Sequence, residues 1–344
     1  MIINEKLFLP VIQIPVGKNR MGKNQNKQKI RKIVRWICWV FVIQFVLINI
    51  SAAFYAYRLT HFYDDPSLRE PNPSRNIFSK TWRLFTGPKY PRSQILYFPE
   101  FQYETVKLKT GNEISIEAWY SKPGSVSNGT VIMFHGIGGA KDYLLDEAEE
   151  FHNMDYNVML VDFRGHGNSS GNTTTIGIKE SEEVKLAVGY VQQRGEKRIF
   201  LWGGSMGAVV VAKAVGEYDL RVSGIILEAP FASIQSHLKA RARILDFPRQ
   251  PFAFFTTFWI GVERGFNGFN AQTCRYAKKI NCPVLVQWGS LDAYVLKWEI
   301  DSVFHAISSA DKKLVIYNDG FHESLLRRNP SKWRSEIEEF LISK

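Results

Sequence analysis

Three polar residues have the types and the order that covalent acyl-transfer chemistry requires. Ser205 is the centre of Gly203-Gly204-Ser205-Met206-Gly207, which follows an apolar run at residues 198–202 and opens a helical pattern. A serine on a sharp strand-to-helix turn exposes its hydroxyl, but it is a weak nucleophile without a base. His322 is predicted as general base and then acid, and Asp292 as the carboxylate that orients it, because each follows a later predicted strand.

Two other carboxylates remain alternatives for the orienting acid. Glu228 follows a predicted strand at residues 222–227, and Asp319 lies three residues before His322. The other six histidines suit the base less well, because they fall in helical patterns, in an N-terminal connector or in other motifs. They are His152, His237, His305, His61, His135 and His166.

An oxyanion hole needs two N–H donors near the nucleophile. Met206, directly after the predicted nucleophile, is expected to supply one. The loop His135-Gly136-Ile137-Gly138-Gly139 follows another predicted strand, and its glycines let the backbone turn its amides toward a cleft. The Ile137 N–H is therefore predicted as the second donor, although a plain turn before a helix is the alternative.

An alternation of strands and helices from about residue 99 must position these residues. Residues 103–110 and 113–121 predict an antiparallel hairpin. Further strands are predicted at residues 130–134, 156–161, 198–202, 222–227, 283–288 and 312–317, and helices at 141–151, 178–194, 206–218, 298–308 and 331–342. This order predicts an α/β fold with a mostly parallel central sheet covered by helices on both faces. Sites in such folds form at the carboxyl ends of strands, where the motifs lie.

Five motifs, in this order, resemble those of the α/β-hydrolase superfamily. They are HGIGG at 135–139, DFRGHGNSSG at 162–171, GGSMG at 203–207, GSLD at 289–292 and DGFH at 319–322. The chain is similar to the serine aminopeptidase-like and monoacylglycerol-lipase-like branches, which include membrane-tethered members. The resemblance implies an α/β-hydrolase domain at residues 99–344 with a small cap inserted at about residues 231–280. It also implies that Asp162, Arg164 and His166 brace the core and the cleft wall.

The predicted cap is rich in aromatic residues between positions 247 and 269. These side chains could pack as cap core, line an acyl pocket or touch a membrane surface, and the sequence leaves all three open. Four basic residues of the same region, which could meet anionic headgroups or form a solvated face, are Lys239, Arg241, Arg243 and Arg249. The aromatic set contains Phe252, Phe254, Phe255, Phe258, Trp259, Phe266 and Phe269.

Residues 36–57 form an uncharged run of 22 residues. As a helix it would extend about 33 Å, enough to cross a membrane. The basic segment at residues 1–35 is predicted to stay cytoplasmic, so this signal anchor would place the rest of a single-pass membrane protein outside the cytosol. A cleavable signal peptide is the alternative. Residues 58–98 are predicted to form a juxtamembrane connector with one short helix near residues 78–85.

The net charge of +11 does not predict a nucleic-acid partner. Residues 1–35 hold nine Lys or Arg against one Glu, which leaves a net charge of only +3 for the remaining chain. That excess is too small and scattered for a phosphate-binding stripe. No cofactor or metal is predicted, because the three cysteines lack metal-ligand spacing. Cys274 and Cys282 are expected either to pair or to remain buried thiols, and the oligomeric state is not predicted.

These features together predict a membrane-anchored serine hydrolase that cleaves an acyl ester through an acyl-enzyme. Lipid-like esters are among the candidate substrates. A serine peptidase of the aminopeptidase type and an acyl-protein thioesterase are the enzymatic alternatives, since the resemblance does not fix a substrate. A catalytically silent hydrolase fold that serves as a binding module is the alternative from a different class.

Overall fold

The computed structural model describes residues 18–68, 77–123, 126–246 and 248–344. Residues 1–17 of the predicted basic segment, residues 69–76 of the predicted connector and Phe247 of the predicted cap lie outside the described residues. The chain divides into two compact units, Met1–Ile50 and Ser51–Lys344.

A single long helix, α1 (Lys18–Leu59), contains the predicted membrane span. Its segment Asn26–Leu59 is long and apolar enough to cross a membrane, and an 18-residue window within it has a mean hydropathy of 2.2. The helix begins well before residue 36, where the prediction placed the start of the span, because residues 18–35 contain no proline. The amide of Asn49 donates to the Phe45 carbonyl oxygen at 2.9 Å, which satisfies this polar group within the helix.

An eight-stranded sheet forms the centre of the second unit. After two short strands described below, β1 and β2, its strands are β3 (Glu104–Lys109), β4 (Ser115–Ser121), β5 (Thr130–Phe134), β6 (Asn157–Val161), β7 (Ile199–Gly204), β8 (Gly224–Glu228), β9 (Val284–Gly289) and β10 (Lys312–Tyr317). Their order in the sheet is β10-β9-β8-β7-β5-β6-β4-β3. Strands β3 and β4 form the predicted antiparallel hairpin, β4 is antiparallel to β6, and the remaining pairs are parallel. The prediction of a mostly parallel sheet is therefore confirmed.

Helices cover both faces of this sheet, and alternate strand residues face one layer or the other. Within β5, Ile132 and Phe134 join one apolar core, whereas Val131 and Met133 join the second. The helices after α1 are α2 (Ile77–Thr86), α3 (Leu145–Asn153), α4 (Ser181–Gln193), α5 (Met206–Tyr218), α6 (Ile234–Ile244), α7 (Arg249–Arg264), α8 (Thr273–Ala277), α9 (Lys297–Ala306), α10 (Leu325–Arg328) and α11 (Pro330–Ile342). Because both faces are buried, the central strands are continuous apolar runs rather than alternating ones.

The segment that follows α1 packs against a loop of the sheet domain. It forms a small parallel pair, β1 (Phe62–Tyr63) with β2 (Tyr90–Pro91). The Phe62 ring lies 4.5 Å from the imidazole of His166, measured between centroids. The Ser93 hydroxyl accepts the N–H of Gly167 at 3.0 Å. Part of the predicted connector therefore supports the DFRGHGNSSG loop.

Candidate active site

Ser205 stands on the tight turn between β7 and α5. The strand ends one residue before it and the helix begins one residue after it, so its φ of 53° and ψ of −111° are strained for an L residue. Its N–H donates to the Glu228 carbonyl oxygen at 2.8 Å, which ties the turn to β8. A Cβ added at Gly207 would lie 2.1 Å from the Phe134 carbonyl oxygen. Glycine at this position lets α5 start close beside β5.

The imidazole of His322 contacts both predicted partners. Its Nε2 lies 3.0 Å from the Ser205 hydroxyl oxygen, and its Nδ1 lies 2.7 Å from Asp292 Oδ2. The second carboxylate oxygen of Asp292 accepts the N–H groups of Tyr294 at 2.7 Å and Val295 at 2.8 Å. A Nδ1–H that donates to Asp292 leaves Nε2 free to accept the serine proton. The structure thus brings together the three side chains that the sequence singled out.

The two alternative acids are engaged elsewhere. Asp319 forms an ion pair with Arg328, with 3.1 Å between carboxylate oxygen and Nε. Glu228 Oε1 accepts the N–H of Leu325 at 3.2 Å. Burial, and next the charge of Glu147, raise the pKa of Glu228 to about 8. A buried carboxyl that tends to keep its proton is poorly suited to stabilise an imidazolium, so the geometry favours Asp292.

Both predicted oxyanion donors lie beside the nucleophile. Met206 is the first residue of α5, where a backbone N–H has no acceptor within its own helix. Ile137 lines the same cavity as Ser205. The neighbouring N–H of Gly138 donates to His166 Nε2 at 3.1 Å, which holds the loop in place. This leaves Ile137 as the candidate donor on that loop.

Two buried histidines form hydrogen bonds that support the glycine-rich loop at residues 135–139. His135 Nε2 accepts the N–H of Phe163 at 3.1 Å, while its Nδ1 lies 2.7 Å from the Gly136 carbonyl oxygen. His166 Nδ1 lies 2.9 Å from the Arg164 carbonyl oxygen. Burial lowers the pKa of both rings, that of His135 to about 4, so each imidazole stays neutral and keeps one nitrogen as an acceptor. This geometry agrees with the structural role that the resemblance implied for His166.

Buried ion pairs brace the same region. The side chain of Lys141, fully buried, pairs with Asp162, and its backbone N–H donates to Asp162 Oδ1 at 2.7 Å. The guanidinium of Arg164 pairs with Glu183. Lys141 was not predicted from the sequence, since no motif marks a lysine that follows the glycine loop as a buried partner of Asp162.

A cavity of about 490 Å³ opens above Ser205. Aromatic and aliphatic groups form part of its wall, namely Tyr143, Leu144, Trp202, Tyr294 and Phe321. Five carboxyl, imidazole or guanidinium side chains that the sequence did not place in the cavity wall also line it, namely Glu147, Glu228, His237, Arg241 and Glu323. A signal for two of them existed, because His237 and Arg241 lie four residues apart and so share one face of α6.

The described aromatic rings of the predicted cap do not line this cavity. On α7, Phe254 and Phe258 are about half exposed, while Thr256, Thr257 and Ile260 are buried on the opposite side. The acyl-pocket interpretation of these aromatics is therefore wrong, because the small and β-branched side of the helix faces inward.

Within the part of the chain that the structure describes, no cluster of three His, Cys, Asp or Glu side chains could hold a metal ion. Cys274 and Cys282 are free thiols, so the disulfide alternative is not realised. Burial raises the pKa of both thiols, that of Cys282 to about 12, which keeps this sulfur protonated and unreactive.

The chain is similar to several known proteins. A family model described as serine aminopeptidase, S33, matches residues 125–259. An uncharacterised Bacillus subtilis protein, YqkD, is 26% identical over 248 residues, which cover 71% of this chain and 81% of that protein. The lysophosphatidylserine lipase ABHD12 of Danio rerio is 24% identical over 208 residues, 57% of this chain and 51% of the lipase. The matched segment thus spans about half of that lipase.

Solved structures share the fold. The Pyrococcus furiosus esterase Pf2001 superposes with a TM-score of 0.64 at 24% identity, covering 74% of this chain and 96% of the esterase. Est1E from Butyrivibrio proteoclasticus, solved with bound ferulic acid, superposes with a TM-score of 0.55 at 16% identity, covering 70% of this chain and 100% of that chain. The sheet order, the serine turn and these matches show that the chain has the α/β-hydrolase fold.

Proposed function

We propose that the chain is a serine hydrolase that cleaves an acyl ester through a covalent acyl-enzyme. The observation that carries the proposal is the position of one imidazole, with Nε2 3.0 Å from the Ser205 hydroxyl oxygen and Nδ1 2.7 Å from Asp292. Both distances lie within hydrogen-bond range, as general base catalysis requires.

In the acylation step, His322 Nε2 takes the hydroxyl proton while Ser205 Oγ forms a bond to the ester carbonyl carbon. The N–H groups of Ile137 and Met206 would stabilise the negative oxygen of the tetrahedral intermediate. The C–O bond to the alcohol then breaks, and the imidazolium returns its proton to the leaving oxygen. A water molecule, activated by the same imidazole, hydrolyses the acyl-enzyme and restores the serine.

An ester is favoured over a peptide as the substrate. Esterases and a lysophosphatidylserine lipase occur among the similar proteins. Burial raises the pKa of Glu147 and that of Glu228, so these two cavity carboxyls are poorly suited to bind a peptide amine as fixed anions, and the third, that of Glu323, is exposed. A serine peptidase and an acyl-protein thioesterase stay as alternatives, and a silent binding module is the contrasting hypothesis.

Membrane anchoring through α1 is the second part of the proposal. The segment Asn26–Leu59 supports it by length and hydropathy, and the excess of Lys and Arg before residue 36 favours a cytoplasmic N-terminus. The hydrolase domain would then act outside the cytosol. Protease protection on sealed vesicles tests this topology. The topology is contradicted if the hydrolase domain lies in the cytosolic compartment, on the same side of the membrane as the N-terminal segment.

A serine-directed fluorophosphonate probe tests the nucleophile. Wild type should be labelled, Ser205→Ala should not, and Ser302→Ala, which removes an exposed serine of α9, should be labelled like wild type. Equal labelling of Ser205→Ala, or no labelling of wild type, would favour the silent module. Hydrolysis of p-nitrophenyl esters against aminoacyl nitroanilides then tests the substrate, and a preference for the anilides would favour the peptidase.

A further inference from the structure

Arg241 brings a guanidinium group into the wall of the cavity that contains Ser205. It lies on α6 of the cap, one helical turn after His237, and both side chains line the cavity. Its Nη2 donates to the Tyr90 hydroxyl, and its guanidinium carbon lies 5.2 Å from the centroid of that ring. The segment that follows α1 therefore supplies, through Tyr90, an aromatic platform that orients the arginine.

Arg241 differs from Arg164 and Arg334 in its partners. The guanidinium of Arg164 pairs with Glu183, and the exposed Arg334 pairs with Glu150. Among the described residues, no carboxylate forms an ion pair with Arg241. Its buried Nε has no hydrogen-bond acceptor in good geometry, although the Tyr55 hydroxyl interacts with the same guanidinium. A buried, unpaired donor is costly, so a ligand that brings oxygen acceptors to this point gains affinity.

His237 provides a second unpaired polar atom on the same wall. Its side chain is 5% exposed, and its Nε2 is buried without a partner. Burial comes first, and the charges of Arg241 and His322 follow, among the causes that lower its pKa to about 3. The ring is therefore neutral, and it lines the same cavity as His322 and Arg241.

Two of the three carboxyl groups that line the cavity, those of Glu147 and Glu228, are buried and do not cancel this positive charge, and the third, that of Glu323, is exposed. Glu228 Oε1 accepts from the backbone of Leu325, and Glu147 accepts the hydroxyl proton of Ser324. Both are therefore engaged with the segment that follows His322. Burial raises the pKa of each carboxyl, which favours the neutral acid form.

We propose that Arg241, with His237 beside it, binds an anionic group on the alcohol part of the substrate. This inference rests on the proposed esterase function and names its substrate class, an acyl ester whose alcohol carries a phosphate or a carboxylate. The alcohol leaves on the side of His322, because that imidazole protonates the leaving oxygen. His237 and Arg241 line the cavity together with His322, so we assign the anion to the leaving group rather than to the acyl chain.

Hydrolysis of three esters with one common acyl chain tests the proposal on the full chain in neutral detergent micelles. They are a 1-acylglycerol, a 1-acylglycerol 3-phosphate and an acyl ester of glyceric acid. Wild type should prefer at least one anionic ester, and Arg241→Gln should lower kcat/KM for that ester by about 10- to 100-fold, while the neutral ester changes less than threefold. The two anionic arms tell whether phosphate or carboxylate is recognised.

Two matched variants separate anion binding from support of the cap. Arg241→Lys keeps the charge and should retain part of the preference. Arg243→Gln removes a nearby cation that donates to the Ala293 carbonyl oxygen and does not line the cavity, so it should behave like wild type. An equal loss on all three esters in Arg241→Gln would assign the arginine a structural role and overturn the proposal, as would a wild type without anion preference.

Calorimetry that measures binding of the same three esters to the Ser205→Ala variant separates this inference from the proposed function. Tighter binding of the anionic ester that is lost in Ser205→Ala/Arg241→Gln supports the anion site even if wild type hydrolyses none of the three. Hydrolysis that depends on Ser205, with equal binding of neutral and anionic esters, supports the esterase and overturns the anion site.

Discussion

A Cβ built on Gly289 would lie 2.4 Å from the carbonyl carbon and oxygen of Gly320. These glycines end β9 and follow β10, so the loops that carry Asp292 and His322 meet through bare backbone. The N–H of Leu291 donates to the Gly320 carbonyl oxygen at 2.9 Å across the same contact. The 2.7 Å separation of carboxylate and imidazole therefore depends on the absence of side chains at this point.

Gly289→Ala should disturb this contact. We expect a loss of about 1–3 kcal/mol in the free energy of unfolding, because the added methyl group must displace backbone rather than a flexible side chain. Ester hydrolysis should fall about tenfold or more, since a small shift between the loops misaligns the imidazole. Urea denaturation and the rate of p-nitrophenyl ester hydrolysis measure the two effects.

Gly189→Ala is the matched control for that substitution. This glycine lies inside α4, and nothing lies within 4 Å of its added Cβ. The free energy of unfolding of this variant should rise by roughly 0.5–1 kcal/mol, because alanine has a higher helix propensity than glycine, and its activity should be unchanged. A Gly289→Ala protein that is as stable and active as wild type would contradict the role given to the contact.

Asp292→Asn should retain the fold but lose activity. The amide oxygen can still accept from the backbone of Tyr294 and Val295, which preserves the loop. It no longer carries the charge that stabilises an imidazolium, so kcat should fall by roughly 10³- to 10⁴-fold. Asp319→Asn, at the surface alternative, should cost less than about twofold, and a comparable loss there would shift the orienting role to that carboxylate.

The local sequence was sufficient to predict the three side chains that meet, because each lies directly after a buried strand. Parallel strands bring their carboxyl ends to one edge of a sheet, so residues far apart in the chain converge there. The resemblance to a known superfamily added the cap and the bracing loop. The fold prediction is confirmed, while the catalytic roles of Ser205, His322 and Asp292 stay predictions.

The cavity wall was not predictable in the same way. Arg241 reaches the cavity because Tyr90, more than a hundred residues earlier, orients its guanidinium. The cap aromatics failed as an acyl pocket because the orientation of α7 is set by packing of its small and β-branched residues, among them Ala253 and Ile260. Such contacts depend on tertiary packing, which the periodicity of one segment does not specify.

Glu228→Gln should change how stability depends on pH. In the folded chain burial raises the pKa of this carboxyl to about 8, against 4.5 as its ordinary value. The folded state therefore holds a proton that the unfolded state has released, and wild type should lose stability as pH rises from about 4.5 through 8. The amide never titrates. The free energy of unfolding of the variant, relative to that of wild type, should therefore rise by up to roughly 1.4 kcal/mol per pH unit within this window.

Urea denaturation at pH 6, 7, 8 and 9 measures the difference. Glu338→Gln, which removes an exposed carboxylate from α11, is the control and should track wild type at each pH. If the difference between Glu228→Gln and wild type is constant from pH 6 to pH 8, the carboxyl is already ionised in the folded chain and the assigned direction of its pKa is wrong.

Val46→Arg should weaken membrane insertion of α1. The residue lies near the middle of the uncharged run and exposes 46% of its surface, so the new charge would face hydrocarbon if the helix crosses a bilayer. An arginine at the centre of a spanning helix costs about 2.5–3.5 kcal/mol on insertion scales.

Val46→Leu keeps the apolar surface and is the control. Carbonate extraction of membranes should release more of the arginine variant than of wild type or the leucine variant. Equal retention of all three would show that this helix does not depend on apolar contact with lipid, and the proposed anchor would have to be abandoned.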